Sequence, residues 1–209
     1  MSPERERLPA SGRDPGEPPD EELVAATLDG DRDAFGRLAR RYQARATSVA
    51  YRLLGSSHDA AEVAQEAFLK AFRALATLDN PSRFGAWLLR IVGNLALNYR
   101  RSRSARRALS IDEADGGGSS LGERLTGEGS RPGMSGTDRL VGRELEEKIF
   151  GALDRLPEKQ RLALVLFSVE GLPQKEVARI MECSVELVKW NVFSARKALR
   201  RLLADYIDG

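Results

Sequence analysis

One stretch near the middle of this chain, Leu109 to Asp138, cannot build a core, and it decides the architecture. Asp115-Gly116-Gly117-Gly118-Ser119-Ser120 and the run from Gly127 to Gly136 lack the apolar side chains that offset the entropy of ordering a backbone. On both flanks, over Glu21 to Ala108 and Arg139 to Tyr206, apolar residues recur at helical spacing. No segment alternates apolar and polar residues for long enough to make a strand. The expected fold is all-α, with two small helical domains over residues 21–108 and 139–209 joined by a flexible linker over 109–138. Residues 1–20 are rich in Pro, Arg and Glu and are expected to form a disordered tail.

Punctuation divides the first domain. Leu23, Val24, Thr27 and Leu28 make a short helix that stops near Gly30. Asp31 can cap a second helix that buries Phe35, Leu38, Tyr42, Val49 and Leu53 and ends at Gly55. Ser56 or Ser57 caps a third, with Val63, Ala64, Ala67, Phe68, Ala71 and Leu75 inward. Its other face shows Asp59, Glu62, Gln65, Glu66 and Lys70. Asn80-Pro81 opens a fourth, cored by Phe84, Trp87, Leu88, Ile91 and Leu95, which runs straight into an arginine block.

The second domain starts with a helix from Leu140 to Leu156, broken by Pro157, followed by Glu158 to Val169. Gly171 permits a sharp turn. Pro173 to Met181 then reads as a short helix and Glu182-Cys183-Ser184 as a tight turn. From Val185 onward, Val185, Val188, Val192, Ala195, Leu199 and Leu202 fall on one stripe. The opposite face holds Trp190, Phe193, Ser194, Lys197 and Arg201, flanked by Lys189, Arg196 and Arg200. A helix pair of this kind is either an ordinary part of an all-α domain or a helix-turn-helix whose second helix enters a DNA major groove.

Charge placement favours nucleic acid. The chain has 33 Lys and Arg against 31 Asp and Glu, so its net charge is small. Yet Arg100, Arg101, Arg103, Arg106 and Arg107 form a block without an acid, while Asp112 to Glu128 is glycine-rich with mostly acidic charges. The fourth helix adds Asn94, Asn98 and Tyr99 to that block. Arginines neutralise phosphates, amides read base edges and aromatic rings stack on unpaired bases. Trp87 sits mostly on the core period, and Asn94 lies at the flank of the apolar stripe, suited to a ligand or to a cap.

Catalytic chemistry has little to work with. His58 and Cys183 are each the sole residue of their type, so a zinc-ligand spacing is absent. No P-loop precedes a lysine and hydroxyl, and Cys183 suits a small apolar filler. One cysteine allows no internal disulfide, which fits a reducing cytoplasm. No apolar run is long enough for a bilayer. The expectations are no enzyme, no cofactor, no metal, no small-molecule substrate and no membrane insertion.

These two modules in this order resemble the extracytoplasmic-function class of bacterial sigma factors. Asp33-Ala34-Phe35 with Tyr42 is similar to the opening of the family's sigma region two, and His58 through Phe72 to its polymerase-binding helix. Phe84 through Arg101, with Trp87-Leu88, Ile91, Asn94 and Tyr99, resembles its strand-opening segment. Leu156-Pro157 through Leu202, with Glu176-Val177-Ala178, Val188-Lys189 and Ala195-Arg196, resembles sigma region four. The resemblance implies a subunit that binds core RNA polymerase, carries it to promoter DNA and helps open the duplex, with an anti-sigma factor as a further partner.

It also assigns roles. Asp59, Glu62, Gln65, Glu66 and Lys70 would dock on polymerase. Asn94 would capture a flipped minus-ten base, with Asn98, Tyr99, Arg100, Arg101 and Arg103 beside it on the melting strand. Lys189, Trp190, Phe193 and Ser194 would meet the minus-thirty-five element, with Lys175 and Lys197 beside them. The acidic linker would thread toward the RNA exit channel.

Departures from the family pattern fall on that reading face. Glu186-Leu187 stand where small residues are usual, Trp190-Asn191 replace a Ser-Arg pair, and Ser194 replaces a frequent arginine. Pro173 replaces a capping serine. Fewer cations mean fewer bidentate guanine contacts, so a divergent minus-thirty-five sequence is expected. Two alternatives remain: a stand-alone helix-turn-helix regulator, and a decoy that binds polymerase or a sigma regulator without reading promoters.

Overall fold

A computed structural model of the chain describes residues 16–111, 145 and 147–207. Most of the expected linker therefore lies outside the described residues, as do the first fifteen of the expected tail. The elements are α1 (Asp20–Leu28), α2 (Arg32–Leu54), α3 (Ser57–Ala74), α4 (Phe84–Ile111), α5 (147–154), α6 (Glu158–Leu164), α7 (Gln174–Ile180), α8 (Val185–Leu202) and α9 (Ala204–Ile207). The described residues contain no strand. A π-helical turn, Val165–Val169, extends α6.

Local chemistry places the boundaries. The Asp31 carboxylate accepts hydrogen bonds from the Asp33 and Ala34 amides at 2.9 and 3.2 Å, which starts α2. Gly55 ends that helix at φ 71°, where a side chain would be strained, and its amide returns to the Tyr51 carbonyl. Ser56, rather than Ser57, caps α3 through the Asp59 amide. Asn80 caps a short 3-10 turn, Pro81–Arg83, that leads into α4.

Two expected limits shift. The helix of α4 continues to Ile111, three residues into the segment assigned to the linker. Residues 16–20 do not behave as a loose tail: Glu17 pairs with Arg41 at 2.8 Å, and Asp20 accepts from both Arg41 and Tyr42. Burial alone would lower the Arg41 pKa, but those two carboxylates raise it.

The first body packs α1 to α4 around Leu38, Tyr42, Val49, Leu53, Val63, Phe84, Leu88 and Val92. Phe84 anchors an aromatic cluster with Phe35, Tyr42 and Trp87 at ring separations of 6.3, 5.4 and 6.0 Å. In the second body α6 and α8 cross over Leu153, Leu156, Leu164 and Ala195. The two bodies are not held apart. Leu162, Leu166, Val177, Ile180 and Val188 join the same apolar cluster as the first body's core. Gly93 lies at this seam, where a Cβ would fall 3.1 Å from Leu162 Cδ1.

Candidate nucleic-acid interface

Asn94 and Asn98 stand one turn apart on α4 and are both exposed, while Val92, Leu95 and Ala96 beside them are buried. Tyr99 and Arg103 turn the other way. The Tyr99 hydroxyl donates to Asp59 Oδ1 at 2.7 Å, and Arg103 Nη1 donates to Asp59 Oδ2 at 2.8 Å. Burial raises the Tyr99 pKa, and the bond to Asp59 raises it further. Asp59 is 7% exposed, so it does not stand on the polymerase-facing side of α3 as expected. Its place in the first turn of α3 faces α4, and two donors offset the cost of its desolvation. It is an internal brace between α3 and α4.

Arg100 and Arg101 are also engaged. Arg100 Nη1 donates to Asp154 Oδ1 at 2.8 Å and to the Leu53 carbonyl at 3.1 Å. Arg101 meets Glu158 at 2.8 Å, and Arg90 meets Glu182. Arg45 pairs with Glu170 at 2.9 Å and Arg83 with Glu176 at 3.4 Å. Each of these pairs joins an arginine of the first body to an acid of the second. Acids between Asp154 and Glu182 thus occupy cationic positions on α2, before α4 and on α4 that DNA phosphates would also seek.

On α8, Ser184 caps the helix through the Leu187 amide at 3.2 Å. Val188, Val192 and Ala195 are buried, as the stripe requires. Asn191 is buried too and donates to the Leu187 carbonyl at 2.8 Å, so it offers no amide to a ligand. Arg196 leans back over the Phe167 ring and bonds the Ser168 hydroxyl at 3.0 Å. Lys189, Trp190, Phe193 and Lys197 are exposed, and Lys175 is exposed on α7. Ser194 is half-buried and sits at the edge of this face. Glu182 holds the turn with φ 50°, a left-handed conformation. Burial raises the thiol pKa of Cys183, which packs against the core as a filler.

Glu62, Gln65, Glu66 and Lys70 are exposed on α3, with Lys70 and Glu66 paired at 3.0 Å. Two exposed apolar residues, Leu69 and Phe72, accompany them, which the polar pattern of α3 does not predict. The signal was present: Leu69 lies three and four residues beyond Glu66 and Gln65, in the middle of the polar face. The structure thus brings together Asn94 with Asn98 on one surface, and Trp190, Phe193 and the lysines on another.

Comparison with known proteins places these surfaces in a family frame. Residues 38–106 match the model for Sigma-70 region 2, and residues 146–199 match that for Sigma-70, region 4. The ECF RNA polymerase sigma-E factor of Escherichia coli (strain K12) is 35% identical over 182 residues, covering 86% of this chain and 92% of that protein. The RNA polymerase sigma-H factor of Pseudomonas aeruginosa is 34% identical over 185 residues, covering 88% and 93%. The structure of CnrH in complex with the cytosolic domain of CnrY aligns with TM-score 0.63 at 25% identity, covering 89% of this chain and 97% of that one. RpoE of Bartonella quintana, in complex with the anti-sigma factor NepR, shares the fold at TM-score 0.61 and 21% identity, covering 81% and 96%.

Proposed function

The chain belongs to the extracytoplasmic-function class of RNA polymerase sigma factors, and from that premise we propose how its residues divide the work. As such a factor it binds core RNA polymerase, directs it to promoters and helps melt the DNA. The body over residues 21–108 grips polymerase and the minus-ten element, and the body over 139–209 reads the minus-thirty-five element. The linker beyond α4, as far as residue 138, leads toward the RNA exit channel in the holoenzyme. The chain acts in the cytoplasm as an initiation factor and catalyses no reaction of its own. Among the described residues no helix is long and apolar enough to cross a membrane.

One observation carries the minus-ten assignment. Asn94 and Asn98 are exposed on a helix whose far side is fixed by the Asp59 bonds to Tyr99 and Arg103. A braced helix with two free amides can hold an extruded base without reorganising. Arg100 and Arg101 then supply phosphate contacts after exchanging their carboxylate partners for DNA, while Arg103 stays on Asp59 as part of the brace. Glu62, Gln65, Glu66 and Lys70, with Leu69 at their centre, form the polymerase-docking face. An anti-sigma factor is the further partner, and the CnrH complex with the CnrY cytosolic domain supports a protein ligand for this fold.

The deciding experiment is run-off transcription on genomic fragments with purified core polymerase. The free chain should hold duplex DNA weakly, and the holoenzyme should start transcripts at discrete sites. A chain that joins core polymerase but starts no transcript would instead be a decoy. Tight promoter binding without polymerase would mark a stand-alone regulator.

A further inference from the structure

The exposed face of α8 is chemically unusual for a helix that meets base pairs. Trp190 is 56% exposed and Phe193 is 68% exposed, among the largest uncovered apolar side chains in the described structure. They lie in the first three turns of the helix, the part that approaches base edges in a helix-turn-helix. The bidentate readers that such a helix usually offers are withdrawn. Asn191 is buried and satisfied by the Leu187 carbonyl, and Arg196 is turned back onto Phe167 and Ser168. Lys175, Lys189 and Lys197 are exposed on the same helix pair, and none enters an ion pair among the described residues. That contrasts with Arg90, Arg100, Arg101 and Arg103 of α4, all of them paired.

A cationic frame around an apolar centre fits a polyanion that itself presents apolar groups. In the major groove the 5-methyl of thymine is that group, and aromatic side chains are among its known contacts. We infer that Trp190 and Phe193 select the minus-thirty-five element by packing against thymine methyls, while Lys175, Lys189 and Lys197 hold the flanking phosphates. The rings are three positions apart, which places them about 4.5 Å from each other along the helix axis. That span suits methyls on neighbouring base pairs. This inference rests on the assignment of α8 to the minus-thirty-five element and deepens it.

The test uses holoenzyme made from the full chain and core polymerase. Promoters are first selected from a library randomised over the minus-thirty-five region. Each thymine there is then replaced by deoxyuridine, which removes a methyl and leaves every hydrogen-bonding group in place. Loss of one buried methyl should weaken binding roughly fourfold at each of two neighbouring positions. Phe193→Ala and Trp190→Ala should each erase the methyl dependence at one position. Phe193→Leu, still apolar, should keep most of it. Lys189→Ala should weaken all sequences alike, flatten the salt dependence and preserve the methyl effect.

Selected sites without thymine, or full binding to the deoxyuridine duplexes, would overturn the inference while leaving α8 as the reader. Binding indifferent to the whole minus-thirty-five region would overturn the reading beneath it. If the Trp190 and Phe193 variants keep DNA affinity and instead lose a co-purifying protein inhibitor, the patch is a protein-docking surface and the methyl inference fails. Circular dichroism of each variant separates these outcomes from loss of folding.

Discussion

The Arg161 guanidinium, 1% exposed, donates a 2.9 Å hydrogen bond to the carbonyl oxygen of Leu53. Leu53 lies in the last turn of α2, where helix carbonyls have no intrahelical partner and the helix dipole favours a cation. Arg161 belongs to α6 of the other body. Asp154 Oδ1 accepts from both Arg161 and Arg100, at 2.9 and 2.8 Å, and Arg100 also reaches Leu53. Two arginines, one carboxylate and one helix terminus thus form a single junction between the sigma bodies.

Arg161→Met should loosen that junction. The change keeps apolar volume but removes a buried cation from a carboxylate and a carbonyl. Arg100 still donates to both acceptors, so the expected loss is about 1–2 kcal/mol of stability. Small-angle scattering should show a larger particle, while the helical content seen by circular dichroism stays near that of the parent. An unchanged radius together with unchanged stability would count against the junction.

The same site predicts an acid limb in stability. Burial by itself raises the Asp154 pKa, but the Arg100 hydrogen bond and the Arg161 charge and hydrogen bond outweigh it. The folded value therefore lies below the ordinary 3.8. The unfolded chain takes up this proton at higher pH than the folded chain. The contribution is complete above 3.8 and disappears as the pH falls through the lower folded value. Denaturant titrations in that acid range should show a slope that Asp154→Asn reduces.

Gly85→Ala should destabilise the first body, against the usual helical trend. In an open helix the exchange gains about 1 kcal/mol. Here the new Cβ would fall 2.6 Å from Tyr42 Cε1, and Tyr42 is buried with its hydroxyl on Asp20. Overpacking of that kind costs roughly 1–3 kcal/mol, so the melting temperature should drop. Gly93→Ala is the control, because the Leu162 methyl 3.1 Å away ends a flexible side chain. Its effect should stay within about 0.5 kcal/mol.

The relocation of Asp59 separates two activities. Asp59→Ala removes the partner of Tyr99 and Arg103 and should slow promoter opening more than it weakens polymerase binding. Leu69→Ser, on the exposed centre of α3, should do the reverse, weakening polymerase binding about tenfold. Permanganate footprinting and a polymerase-binding titration read the two effects. Equal losses for both variants in both assays would refute the division.

Asn94→Ala should relax preference at one minus-ten base and leave its neighbours unchanged. Selection from a minus-ten library with each holoenzyme checks this. An identical preference in parent and variant would remove Asn94 from the site.

Much of this was legible in the residues. Helix spacing, the cap at Asp31, a cap at Ser56 or Ser57, the turn at Glu182 and the buried stripe of α8 are local properties, fixed by three- and four-residue periods and side-chain to backbone bonds. The exposure of Asn94 followed from the same periodicity. The sequence alone therefore determined that the chain is all-α, that its helices segregate to either side of a segment unable to form a core, and that the resulting modules resemble a sigma factor. Only the tertiary structure decided where charge goes. Asp59 looks like a surface acid until α4 lies across it, and the arginine block looks free until the acids of the second body meet it. Those pairings join residues 40 to 57 positions apart, beyond the reach of any helical period. Electrostatic partners are chosen by proximity in space, and packing sets that proximity.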